Sequence, residues 1–128
     1  MNSAKTILLA DDDALLIDLY RTKLEKAAFR VVVARDGEEA LMQAQTTHPD
    51  LILLDVFMPK VTGVGVLQRL KSDPYTQKIP VVILTNLAGN EANIETAKRL
   101  GAVDYLIKDE TDPQALIEKI QAVLSVSP

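Results

Sequence analysis

Two stretches, Leu51-Ile52-Leu53-Leu54 and Ile79-Pro80-Val81-Val82-Ile83-Leu84, are apolar without interruption. A strand with one wet face alternates apolar and polar residues. A strand covered on both faces does not, and parallel sheets make such strands. Both runs are far below the ~18 residues that a membrane span needs. Around them the chain alternates strand and helix patterns. Thr6–Ala10 reads as a strand, followed by a helix from about Ala14 to Ala28 whose Leu16, Leu19, Tyr20, Leu24 and Ala27 recur at helical spacing. Arg30–Ala34 is a second strand. Asp36 caps the next helix, with Glu39 three residues on as in a capping box. That helix turns Ala40, Leu41 and Ala44 inward and ends at His48-Pro49-Asp50.

Leu51–Asp55 is the third strand. A glycine-weakened helix spans about Val64–Lys71, and the fourth strand spans Ile79–Thr85. A helix from about Asn90 to Leu100, burying Ile94, Ala97 and Leu100, is closed by Gly101. Val103–Ile107 is the fifth strand, and Asp112-Pro113 starts a last helix that buries Leu116, Ile117, Ile120 and Leu124. Five β-then-α units predict an α/β fold with right-handed crossovers. The expectation is a doubly wound parallel sheet of (βα)5 type in the flavodoxin-like order 2-1-3-4-5. Residues 1–128 are expected to form a single domain with a core of about 5–124 and a short frayed tail at Ser125-Val126-Ser127-Pro128.

Composition narrows the chemistry. Cysteine is absent and His48 is the single histidine, which excludes disulfide scaffolds, thiolate metal sites and cysteine nucleophiles. A net charge of −4 disfavours phosphate-backbone binding, so no direct nucleic-acid contact is expected. The start Met1-Asn2-Ser3-Ala4-Lys5 lacks a signal-peptide apolar stretch, and the expectation is a cytoplasmic chain without membrane contact.

In an open parallel sheet, ligands bind beyond the carboxyl ends of the strands. Asp11 and Asp12 stand there after strand 1, Asp55 after strand 3, Thr85 after strand 4 and Lys108 after strand 5. Clustered carboxylates repel one another unless a cation is present. Oxygen donors without histidine or cysteine select a hard ion such as Mg2+. A carboxylate can attack phosphorus, while a lysine and a hydroxyl hold phosphoryl oxygens. Each residue also has an ordinary reading: Asp13 as a helix cap, Thr85 as a strand residue, Lys108 as a surface lysine. His48 reads as a helix-end residue, and Met42 and Met58 as packing residues.

With these segments the sequence resembles the receiver domain of two-component response regulators (CheY-like). The segments are Ile7–Asp13, Asp36–Leu41, Pro49–Asp55, Met58-Pro59 with Gly63, Pro80–Thr85, and Gly101-Ala102 through Tyr105 to Lys108. The resemblance covers about Lys5 to Leu124. It implies that Asp55 is the phosphoacceptor and that Mg2+ is held by Asp11, Asp12, Asp55 and the backbone carbonyl of Phe57. It implies that Thr85 and Lys108 bind the phosphoryl group, and that Thr85 and Tyr105 form the switch. Implied partners are a sensor histidine kinase or histidine phosphotransfer protein as donor, and a downstream protein or output domain. In the family the switched surface is formed by the last two helices and the strand between them. Ile94, Ala97 and the charges at Lys98, Arg99 and Asp104 fit either a dimer face there or a solvated surface.

The alternative is a pseudo-receiver, the same fold used as a constitutive interaction module. A phosphatase acting on other substrates is a third reading, which short connections disfavour. Departures from the family pattern bear on these readings. Asp109 follows Lys108 where the family usually has proline, so a trans bond is predicted there. Asn86 stands where a smaller residue is commoner, and Thr62 precedes Gly63 where aspartate is common. Phe57 and Leu87, each two residues beyond a site residue, would hinder an attacking water. Slow self-dephosphorylation is therefore predicted: phosphoryl half-lives of Phe57→Asn and Leu87→Glu should be no longer than that of the unaltered chain, and longer ones would contradict the idea.

Overall fold

The computed structural model describes residues 4–56, 62–85, 91–108 and 112–126. Element order is β1 (Thr6–Ala10), α1 (Ala14–Lys26), β2 (Arg30–Ala34), α2 (Gly37–Thr47), β3 (Leu51–Asp55), α3 (Gly63–Ser72), β4 (Val81–Thr85), α4 (Glu91–Arg99), β5 (Asp104–Ile107) and α5 (Pro113–Val126). The strands form one parallel five-stranded sheet in the order β2-β1-β3-β4-β5, as the alternation predicts. All residues of β3 and β4 are buried, the reason their sequences carry no polar alternation.

The sheet's two faces carry separate cores. One joins Leu8, Ile52, Leu54 and Ile83 to Ala40 and Ala44 of α2, to Val66, Leu67 and Leu70 of α3, and to Ala97 of α4. The other joins Ile7, Leu9, Leu53 and Leu84 to Ile17, Tyr20 and Leu24 of α1, and to Leu116, Ile117 and Ile120 of α5. Period-two alternation sends neighbours along each strand to opposite cores.

Caps follow the sequence closely. Asp13 accepts from the backbone N–H groups of Leu15 and Leu16 at 3.0 and 3.3 Å. Asp36 accepts from Glu39 at 2.9 Å, and Asp112 accepts from Ala115 at 2.8 Å ahead of Pro113. Thr62 caps α3 through the Gly65 N–H at 3.2 Å. His48 ends α2 in the left-handed region at φ 47°, its Nε2 lying 3.2 Å from the Tyr75 carbonyl oxygen. Gly101, at φ 111°, closes α4 in a Schellman turn: its N–H donates to the Lys98 carbonyl at 3.1 Å, and that of Ala102 donates to the Ala97 carbonyl at 2.9 Å.

Several boundaries and faces differ from the sequence reading. β4 begins at Val81 rather than Ile79, because Ile79 bonds back to Thr76 in a turn and Pro80 has no N–H for the ladder. β5 begins at Asp104, and α5 runs through Val126 where a frayed tail was expected. On α1, Leu19 is exposed and Ile17 is buried in its place, since the core-facing stripe is Ile17, Tyr20 and Leu24. Met42 is exposed, not packed, and Met58 lies outside the described residues. Ile94 and Ala97 are buried, which removes them from any dimer face.

Gly63 has a role that weak helix propensity does not reveal. Its N–H donates to the Val56 carbonyl at 3.2 Å. A Cβ at this position would overlap the Asp55 carbonyl and come within 2.5 Å of the Val56 Cα. The start of α3 is therefore seated directly on the end of β3. Gly63→Ala is expected to cost about 1–3 kcal/mol of stability in urea unfolding, despite alanine's better helix propensity. An unchanged or raised stability would contradict this close approach.

Candidate functional site

The carboxyl ends of β1, β3, β4 and β5 bring the sequence candidates together. The β1–β3 register ends at Ala10 opposite Leu54, so the next residues on each strand are Asp11 and Asp55. Both follow residues of the α1/α5 core, Leu9 and Leu53, two positions earlier. Asp11 is fully buried and Asp55 is 4% exposed, while Asp12 is exposed. Oxygens of Asp11, Asp12 and Asp55 all lie within 4.8 Å of one another.

Lys108 enters from the end of β5. Its backbone N–H donates to the Thr85 carbonyl at 2.8 Å, which ties it to β4. Its Nζ lies 2.6 Å from Asp11 Oδ2 and 3.3 Å from Asp55 Oδ2. Burial lowers the Lys108 pKa, but the contacts with Asp11 and Asp55 outweigh it and the net direction is upward. The residue after Lys108, Asp109, lies outside the described residues, as do Phe57, Asn86 and Leu87. The expectations placed on those residues therefore rest on sequence.

The Asp11 carboxylate is engaged through both oxygens. Its Oδ1 accepts from the Asp13 N–H at 2.9 Å. Its Oδ2 is buried and pairs with the Lys108 ammonium at 2.6 Å. One ammonium against the carboxylates of Asp11, Asp12 and Asp55 leaves the cluster net negative, and a further cation is the natural partner for it. Three carboxylates spanning roughly the width of an octahedral Mg2+ shell, about 4.2 Å between opposite ligands, suit a hard divalent ion. The donor set therefore fits the metal that the sequence implies.

Thr85 is fully buried at the end of β4, two residues after Ile83 and so on the α2–α4 side of the sheet. Tyr105, paired with Ile83 across the β4–β5 ladder, is half-buried against that same core. Thus the sheet sorts the candidates: Asp11, Asp55 and Lys108 meet on one side, and Thr85 and Tyr105 share the other. A cavity of about 430 Å3 lies at the opposite, amino end of the sheet, lined by Lys5, His48, Asp50, Tyr75, Lys78 and Leu124 among others. It holds no convergent set of carboxylates, so charge and not concavity marks the site.

Sequence reasoning assigned Asp13 to capping alone. It caps α1, and its N–H also orients Asp11, a link visible in the sequence only as three adjacent aspartates. Gly63 likewise sets the backbone beside Asp55.

Comparisons with known proteins agree with this arrangement. The response regulator receiver domain family model matches residues 7–121. The chain is similar to the transcriptional regulatory protein CpxR of Escherichia coli, with 42% identity over 118 residues covering 92% of this chain and 48% of that protein. It is similar to the probable transcriptional regulator ycf27 of Cyanophora paradoxa, with 41% identity covering 94% of this chain and 48% of that protein. A CheY-like receiver domain protein from Methanospirillum hungatei superposes with a TM-score of 0.88 at 27% identity, covering 96% of this chain and 95% of that one. The chain spans about half the length of the curated relatives it matches. Fold, acid cluster and family model converge: the chain belongs to the response regulator receiver domain family of two-component systems.

Proposed function

We propose that this receiver domain is a phosphorylation switch in which Asp55 is the phosphoacceptor. The observation that carries the reading is the Lys108 ammonium set against both Asp11 and Asp55, beside an acid cluster suited to a divalent cation. An Asp55 carboxylate oxygen attacks the phosphorus of a phosphohistidine on a sensor kinase or phosphotransfer protein. The P–N bond breaks, the new P–O bond forms, and the departing imidazole takes up a proton from solvent. Asp11, Asp12 and Asp55, with the Phe57 carbonyl as the resemblance implies, would hold Mg2+, which supplies positive charge against the transferring phosphoryl oxygens. Lys108 moves from bridging carboxylates to pairing with the phosphoryl group. Thr85 donates its hydroxyl to a phosphoryl oxygen, and space on the α2–α4 side opens to the Tyr105 ring. Such a rearrangement biases a pre-existing two-state equilibrium.

The output is a change of protein-interaction surface, read by a downstream protein or an output domain. The domain promotes its own phosphorylation and dephosphorylation and turns over no other substrate. Among the described residues no helix is long and apolar enough to cross a membrane. A cytoplasmic setting suits a domain that meets a kinase there.

Intact-mass measurement after incubation with Mg2+ and acetyl phosphate tests the phosphoacceptor. One Mg2+-dependent phosphoryl adduct is expected, absent from Asp55→Asn. No adduct from acetyl phosphate or from a phosphorylated kinase would contradict the reading and leave the constitutive interaction module.

Lys108 also makes a stability prediction. Lys108→Met leaves the buried Asp11 carboxylate unpaired and is expected to cost about 1–3 kcal/mol in urea unfolding. The Lys108 pKa is raised in the folded chain above the ordinary value of 10.5. Its contribution is thus complete below 10.5 and lost only as pH rises through the higher folded value. The gap between the two chains should stay flat from about pH 7 to 9. A gap that closes within that range would contradict the ion pairing.

A further inference from the structure

We propose that Lys98 is a clamp on the Tyr105 ring that holds the unphosphorylated arrangement, and so sets how readily the domain switches. The inference rests on the reading of Tyr105 as the moving aromatic. Lys98 Nζ lies over the Tyr105 ring, 4.9 Å from its centroid. A cation at that distance from the face of an aromatic ring is attracted by the ring's quadrupole.

The clamp is anchored at its base. Lys98 sits in the last turn of α4, and its own carbonyl accepts the Gly101 N–H of the Schellman turn. The stem of Lys71 lies 3.5 Å from where a Gly101 Cβ would be, and its ammonium donates to the Gln77 and Ile79 carbonyls at 3.0 and 2.9 Å. Lys71 thereby joins the end of α3 to the turn before β4 and lies beside the α4–β5 turn.

The backbone of Tyr105 is fixed as well. Its N–H donates to Asp104 Oδ1 at 2.8 Å, while Asp104 Oδ2 pairs with Lys119 of α5 at 3.0 Å. With both backbones held, ring movement means rotation of the Tyr105 side chain away from the ammonium. The cation–π contact exists in the present arrangement, and in the proposed switch it weakens as the ring turns toward Thr85. A contact made in one of two states shifts their populations by the energy of that contact. Lys98 therefore opposes switching, and it does so without touching the phosphoryl site.

Ring-13C-tyrosine NMR of the intact chain tests this, with Mg2+ and beryllofluoride as the phosphoryl mimic. Tyr105→Phe assigns the Tyr105 signal. In the unaltered chain the Tyr105 ring signal should move on adding the mimic. In Lys98→Met the mimic-free signal should already lie part-way toward the bound position, and the half-saturating beryllofluoride concentration should fall about two- to five-fold. Lys98→Arg keeps a cation over the ring and should restore both values, which a merely structural role would not require. Lys98→Met indistinguishable from the unaltered chain, or Lys98→Arg indistinguishable from Lys98→Met, would overturn the clamp. A Tyr105 signal that ignores the mimic in the unaltered chain would overturn the switch reading itself, and the clamp with it.

Discussion

The ion pairs of Lys108 with Asp11 and Asp55 hold the functional end of this domain together. Two adjacent parallel strands deliver carboxylates to neighbouring positions, almost wholly out of solvent, with Asp12 beside them. Left to themselves these charges repel in a medium that screens poorly. Lys108 offsets that repulsion with a single ammonium against three carboxylates, which leaves the compensation incomplete. Under the proposed function, a site that is under-neutralised at rest attracts a divalent cation, and with it a phosphoryl group. The same imbalance that weakens the fold locally is what makes the site receptive.

Strand alternation carries the consequence across the sheet. Asp11, Asp55 and Lys108 belong to the α1/α5 side, whereas Thr85 and Tyr105 belong to the α2–α4 side. Under the proposed function, a change at Asp55 reaches the far face through Thr85, which stands on that face at the end of the neighbouring strand β4. Gly63 seats α3 directly on the Asp55–Val56 backbone, so the β3 end cannot shift without disturbing that helix. The fold therefore places the acid cluster and the Tyr105 ring on opposite sides of the sheet, with Thr85 at a strand end on the Tyr105 side.

Much of this was legible from the residues. Uninterrupted apolar runs at β3 and β4 required a sheet covered on both faces, and polar residues ending β1, β3, β4 and β5 marked the ligand edge. Caps at Asp13, Asp36 and Asp112 were readable because each obeys a local hydrogen-bond pattern. The misreadings turn on packing and local turn geometry that residue spacing does not encode. Leu19 and Ile17 are both plausible in a helical stripe, and the packing of α5 and β1 decides between them. Pro80 looked tolerable at a strand start, yet β4 pairs only from Val81. The Gly63 contact and the Lys98–Tyr105 contact each span only seven or eight residues, but they depend on how one element packs back on the next, and no spacing rule announces them.

The most direct test of a cation-seeking acid cluster is thermal unfolding of the chain near neutral pH as Mg2+ is raised. An ion that binds the folded state alone stabilises it progressively once its concentration exceeds Kd. The expected result is a Tm that climbs with Mg2+ in the unaltered chain and is nearly flat in Asp12→Asn. A Tm in the unaltered chain that stays constant through tens of millimolar Mg2+ would contradict a divalent-cation site at Asp11, Asp12 and Asp55.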